Sequence, residues 1–310
     1  MSTKQFAILD DAESIFFARQ LEYIKAKSYD VVYPELKARS LFPVSREINP
    51  GAETVTYYQY DMSGFAKVIA NFADDLPRVD ARGKAFTSPI KSLGNSYGYN
   101  IQEIRAAKMV GGKPLEQRRA DAAKRAMLQK ESTLAFVGEL SSGLPGLLTN
   151  ANVGTYTVPA DGTGASKLWS TKTPDQIIRD MNGMVNKVIT DTKGTFTADT
   201  LLLPIAQYAQ ISSTARSSTS DTTILEYFMK NNPFIKTVEW LNEIQGAGTA
   251  GADVMIAYKK DPMVLSLEIP SDFEQLEPEK RGLEYMVACL ERFAGVLIYY
   301  PLAVVKGEGI

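Results

Sequence analysis

At 310 residues the chain is long enough for one large domain or two, and 45% hydrophobic residues are enough for a core. A net charge of −2 argues against wholesale electrostatic binding to nucleic acid; a single cysteine excludes an intrachain disulfide; and the complete absence of histidine removes His-based acid–base catalysis, Ser-His-Asp and Cys-His machinery and every histidine metal ligand. No run reaches the roughly 18 to 20 apolar residues of a membrane span, and MSTKQFAILDDAESIFFARQ lacks the apolar region and cleavage site of a signal peptide, so neither a membrane nor an export signal is expected.

Residues 1 to 50 read as an arm. A short amphipathic piece (Ile15, Phe16, Leu21, Ile24) precedes YPELKARSLFPVSREINPG, where Pro34, Pro43 and Pro50 punctuate extended chain. Residues 53 to 99 read as long, irregular β-structure. ETVTYYQYDMSGFAKVIANF carries Tyr57, Tyr58, Tyr60, Phe65 and Phe72. A turn-rich stretch follows, charged with both signs through Asp74, Asp75, Arg78, Asp80, Arg82 and Lys84, and AFTSPIKSLGNSYGYN returns as a strand. Eight of these 47 residues are aromatic, more ring surface than a two-stranded hairpin buries by itself. Two readings stand: the rings pack on their own domain, or they pack on a neighbouring subunit.

IQEIRAAKMV is expected as a short helix, broken at Gly111-Gly112. Pro114 then suits the first position of a long helix, PLEQRRADAAKRAMLQKESTLAFV. Leu115, Ala122, Ala126, Met127 and Leu134 fall mainly at helical spacing. Arg118, Arg119, Lys124, Arg125 and Lys130 outweigh Glu116, Asp121 and Glu131 on the other side, which reads either as a phosphate-facing stripe or as an ordinary solvated face. The helix stops at Gly138, and SSGLPGLLTN makes a tight turn. It is no phosphate loop, because Leu144 and Pro145 stand where Lys and Ser/Thr are needed.

Residues 150 to 172 form the longest polar loop and mark a subdomain boundary. Thr173-Pro174-Asp175-Gln176 is a helix start, with Thr as N-cap, Pro at N1 and Gln at N3. The helix places Ile177, Ile178, Met181, Val185, Val188 and Ile189 on one face. TLLLP is expected as a buried strand, IAQYAQIS as a helix, and Thr223 with Glu226 boxes the start of ILEYFMKNN. Strands follow at FIKTVEWL, DVMIAYKK, MVLSLEI, LEYMVACLE and GVLIYYPLAVV. The elements mix without a regular βαβ rhythm, so the class is α+β.

Three motifs invite a chemical reading. GAGTAG, Gly246 to Gly251, fits G-x-G-x-x-G, but a strand pattern rather than a helix follows it, so no helix N-terminus is there to hold a pyrophosphate. Ser88-Pro-Ile-Lys91 matches S-x-x-K without its companion motifs. The acidic pairs Asp10-Asp11 and Asp74-Asp75 have nothing converging on them. No catalytic, cofactor or metal residues are assigned.

The order of features resembles the major capsid proteins of tailed bacteriophages with the Hong Kong 97-like fold. LAFVGELSSGLPGLL is similar to the family's junction after its spine helix. CLERFAGVLIYYPLAVV is similar to its terminal pattern, with Arg292, Gly295 and Pro301 in place; YPELKARSLFPVS, GAETVTYYQYD and SYGYNIQEIRAA resemble one branch of it. The resemblance spans essentially the whole chain. It implies an N-terminal arm (1–50), an extended loop (51–98), a peripheral domain (99–150 and 269–292) with the spine helix from Pro114, and an axial domain (151–268 and 293–310). It further implies a structural, non-enzymatic protein of the virion capsid, assembled in the host cytoplasm. Pentamers and hexamers of this chain would close an icosahedral shell around double-stranded DNA, with no cofactor. A separate scaffolding protein is expected, because the founding member's long scaffolding segment has no counterpart here, and portal and decoration proteins are expected as further partners. That member's Lys–Asn cross-link is not carried over: Lys84 lies near the loop tip, but no matching Asn and carboxylate are evident. The aromatic and charged residues of the loop are the expected inter-subunit contacts, and Arg118, Arg119, Lys124 and Arg125 the expected interior basic stripe. Two alternatives stay open: an encapsulin-type bacterial compartment shell, and, from another class, a cytosolic nucleotide-binding enzyme using Gly246–Gly251.

Overall fold

The structure is a computed structural model that describes residues 34–64, 66–68, 78–103, 105, 115–219 and 221–310. The expectations for residues 1–33, for Phe65, Phe72, Asp74 and Asp75, and for most of IQEIRAAKMV lie outside the described residues.

Residues expected to belong to an extended arm enter the core instead. Helix α1 (Ala38–Leu41) and strand β1 (Val44–Ser45) bury Ala38, Leu41 and Phe42. The Phe42 ring lies 5.0 Å from Phe136 and 6.0 Å from Tyr258. Three apolar residues in five outweigh the proline punctuation, because burying Leu41 and Phe42 contributes roughly 1.5–3 kcal/mol each.

The returning stretch is two strands, not one. β2 (Thr54–Ser63) and β3 (Asp80–Pro89) form an antiparallel hairpin in register from Thr54↔Pro89 to Ser63↔Asp80. The chain breaks at the buried Ile90, and β4 (Lys91–Asn100) joins a different sheet. Helix α2 (Leu115–Phe136) follows, about 33 Å long at 1.5 Å per residue. Its buried residues are Ala123, Met127, Glu131, Ser132, Leu134, Ala135 and Phe136, whereas Ala122 and Ala126 are exposed. Alanines on both sides of a helix do not mark its inner face, and the buried Glu131 is hidden from any apolar pattern.

α2 ends where β5 (Gly138–Glu139) meets β6 (Leu144–Pro145). The amides of Leu147 and Leu148 donate to the carbonyls of Ala135 and Phe136, satisfying the helix's last acceptors. β7 (Gly154–Thr157) precedes helix α3 (Pro174–Asp191), whose N-terminus has the expected capping box: the Thr173 amide donates to Gln176 at 2.8 Å. β8 (Thr200–Leu203), α4 (Ile205–Ser213), α5 (Ile224–Asn231, with Thr223 accepting from the Glu226 amide), β9 (Thr237–Trp240) and β10 (Val254–Tyr258) follow. The last six strands are β11 (Leu265–Glu268), β12 (Ser271–Gln275), β13 (Glu279–Arg281), β14 (Glu284–Phe293), β15 (Gly295–Ile298) and β16 (Val304–Glu308). GVLIYYPLAVV is therefore split: a turn at Pro301 carries the chain from one sheet into another.

Three sheets organise the body. A five-stranded sheet in the order β7-β16-β10-β8-β9 packs against α3, burying Ile177, Met181, Met184, Val185 and Val188. A three-stranded sheet, β1-β11-β15, lies under α1 and the end of α2. In the third, β14 pairs over ten residues with β4 on one side and with β12 and β13 on the other, and α2 packs on it.

Candidate assembly surface

The base of the β2–β3 hairpin is anchored to the body. Tyr57 stacks on Phe86 at 5.3 Å, meets Tyr299 edge-on at 4.9 Å, and its hydroxyl donates to the Ile298 carbonyl. Burial pushes its hydroxyl pKa up. Arg292 donates to the carbonyls of Pro50 and Ala52, fixing the strand's approach. Tyr57, expected as an inter-subunit contact, is thus largely occupied by its own chain.

Beyond the base the hairpin has two unlike faces, because strand side chains alternate and directly paired residues share a face. One face pairs Gln59 with Lys84, Asp61 with Arg82 and Ser63 with Asp80. The other pairs Tyr58 with Ala85, Tyr60 with Gly83 and Met62 with Ala81, so each bulky side chain faces a small one. The Tyr60 ring lies across Gly83, where an added Cβ would sit 2.9 Å from it. Tyr58, Tyr60 and Met62 remain 66%, 69% and 82% exposed. A groove of about 550 Å³ runs beside this face, between Tyr58, Tyr60, Met263 and Tyr300. The sequence carried the signal: DARGKA alternates small and charged residues in step with TYYQYDM. A count of aromatics does not reveal it.

The charges of the described tip are exposed. Arg82 and Asp80 approach to 3.8 Å, both more than 70% exposed, and such a pair contributes about 0–1 kcal/mol. Arg78 and Lys84 are exposed as well, with the Lys84 ammonium 4.9 Å from the Phe86 ring.

The four basic residues of α2 do not form one stripe. At about 100° per residue, Arg118 and Arg125 share a side while Arg119 and Lys124 point roughly 100° away in opposite senses. Arg119 is paired: it donates to both carboxylate oxygens of Glu103, at 2.8 and 3.0 Å, and to the Gly98 carbonyl. Those bonds from Arg119, together with the Asn100 amide, hold the Glu103 carboxyl below its ordinary range. Lys124 is exposed, and Asp121 shares the side of Arg118 and Arg125.

The glycine-rich loop is closed on itself. A 3₁₀ turn at Thr249–Gly251 leads through Ala252 and Asp253 into β10. The Gly246 amide donates to Asp253 at 2.8 Å and the Thr249 amide to Glu308 at 3.0 Å. Carboxylates occupy the donors a pyrophosphate would need, and their charge repels one. Among the described residues no cluster of His, Cys, Asp and Glu is arranged to hold a metal, and no helix is long and apolar enough to cross a membrane.

Residues 64–310 match the family model of the major capsid protein. No curated protein matches the sequence. Among solved structures, the capsid of Myoviridae phage XM1 superposes with a TM-score of 0.81 at 18% identity, covering 94% of this chain and 98% of that one. Mycobacterium phage Bobi gives 0.65 at 14% identity over 97% and 99%. A virus-like particle from Pyrococcus furiosus gives 0.55 at 17% identity over 89% and 92%. The fold is Hong Kong 97-like, α+β, and of the two shell-protein alternatives the bacterial compartment is the less supported. This chain is a structural protein of the virion shell, and it belongs to the major capsid protein family.

Proposed function

We propose that the β2–β3 hairpin is the extended loop through which each subunit overlaps the next in a shell of pentamers and hexamers around double-stranded DNA. The observation that carries this is the row Tyr58, Tyr60 and Met62, exposed on one face of the hairpin. Covering such side chains fully contributes roughly 1.5–3 kcal/mol each. A second copy supplies the cover, and its exposed Leu276 and Leu283 offer apolar side chains to meet that row. On this reading α2 with the four-stranded sheet is the peripheral domain, and the five-stranded sheet with α3, α4 and α5 the axial domain. The loop ends at Pro89 rather than at residue 98, because β4 runs in the four-stranded sheet. The exposed Lys124 is a DNA-facing group, while Arg119 holds Glu103 in place. Scaffolding, portal and decoration proteins act as separate chains, and assembly takes place in the host cytoplasm.

The test replaces residues 59–84 by a short Gly-Ser turn, keeping the Tyr57–Phe86 pair. Circular dichroism should show a folded, helix-containing protein, and sedimentation velocity should show no large particles. The triple substitution Tyr58→Ser, Tyr60→Ser, Met62→Ser should do the same, while Gln59→Ser on the opposite face leaves particles intact. Normal particles from the triple variant would place assembly elsewhere, and an unfolded replacement would make the hairpin part of its own subunit's core.

A further inference from the structure

We propose that Glu291 and Glu131 hold a single proton between them, and that this proton latches helix α1 onto the junction of α2 with the four-stranded sheet. The two carboxylates are at most 1% exposed. Arg39, from α1, donates to both oxygens of Glu131 at 2.7–3.0 Å and to Asp272 of β12 at 2.7 Å, but it reaches Glu291 of β14 only at 3.3 Å. Arg46, just after β1, donates to Asp272 at 2.7 Å. These are the charged groups that meet there from α1, the segment after β1, α2, β12 and β14.

Fully ionised, the cluster sets three carboxylates against two guanidiniums, and Arg46 is spent on the more exposed Asp272. Two buried carboxylates then share one guanidinium. The second oxygen of Glu291 has no hydrogen-bond partner among the described residues. A buried, half-partnered charge beside a like charge is costly, and a carboxyl pair under that constraint keeps one proton. A proton on Glu291 turns repulsion into a hydrogen bond donated to Glu131. Burial, and then the charge of Glu131, push the Glu291 carboxyl up to about 8, with Arg39 opposing. The chain has no histidine, so this pair takes the role of a group titrating near neutral pH.

The sign follows from linkage. An unfolded Glu releases its proton near pH 4.3, whereas the folded pair keeps it to about 8. Between those limits the folded state holds one proton more, so stability falls as pH rises and levels off above the window.

Chemical denaturation of the full-length soluble subunit from pH 5 to 9 tests the latch. The unfolding constant of the wild type should rise by up to about tenfold per pH unit below pH 8. In Glu291→Gln, which keeps a neutral donor in place, that rise should vanish. Infrared spectra of the wild type at pH 6 should show a protonated buried carboxyl that is lost by pH 9, a readout that stands even if the variant does not fold. Hydrogen exchange of the α1 amides should quicken over the same range. A flat wild-type profile, a slope retained in Glu291→Gln, or no protonated carboxyl band at pH 6 would overturn the proposal.

Discussion

Single residues in this protein are held chiefly by charge placed where water is absent. Lys172 and Asp180 are both fully buried, 2.5 Å apart, and Lys172 also donates to the Pro159 carbonyl. Removing Lys172 leaves the buried Asp180 only a 3.4 Å contact with the half-exposed Arg179. Lys172→Met is therefore expected to cost about 3–5 kcal/mol, read as a lowered midpoint in urea. Lys187 and Asp191, one turn apart on α3 and 2.7 Å from each other, form the contrasting pair, partly exposed. Lys187→Ala should move the midpoint little, as pairs one turn apart on a helix contribute about 0.3–0.5 kcal/mol.

At the scale of elements, the decisive joint is the end of α2. Gly138 takes φ +76°, which favours glycine, and Gly146 comes so close that a Cβ on it would lie 2.4 Å from the Gly138 nitrogen and 2.5 Å from the Phe136 carbonyl. Neither obstacle is a side chain that can swing away. Gly146→Ala should therefore destabilise by roughly 1–3 kcal/mol, and hydrogen exchange should show the Leu147 and Leu148 amides, which cap the helix, losing protection first. The hairpin shows the same logic in reverse: Gly83 leaves room for the Tyr60 ring, and so shapes a face rather than a turn.

For the whole molecule, opposing titrations set a pH optimum. Asp161 is held below its ordinary range by Arg179, with Lys172 adding to it; Glu308 is held down by the Thr249 amide; and Asp272, despite its burial, by Arg46 and Arg39. Groups depressed in the folded state stabilise it above their unfolded pKa values and lose that contribution as pH falls. Glu291, raised in the folded state, loses its contribution as pH rises from about 4.3 towards 8. Stability of the soluble subunit should therefore peak near roughly pH 5, and thermal unfolding across pH 3 to 9 checks it. A peak at neutral pH would mean that the carboxyl pair holds no extra proton there, because the acid-side groups have gained their full contribution by roughly pH 5.

The sequence by itself determined the elements whose cause is local. The capping box at Thr173, the N-cap at Thr223, the apolar face of α3, the glycine–proline turn after α2 and the strand that follows GAGTAG are all written within a few residues. The family pattern was legible for the same reason, since it rests on such junctions. Tertiary structure alone decided the rest. Whether Ala122 or Ala123 faces inward depends on the sheet that α2 packs against, and the inward Glu131 is explained only by Arg39, 92 residues away. Ile90 and Pro301 look like ordinary members of one strand until two sheets claim the segments on either side. Arg119 reads as a free cation until Glu103 and the Gly98 carbonyl fold back to it. The two faces of the hairpin exist only once Tyr58, Tyr60 and Met62 stand opposite Ala85, Gly83 and Ala81. Local conformation follows from neighbouring residues, but burial, pairing and charge compensation depend on groups that only the fold brings within reach.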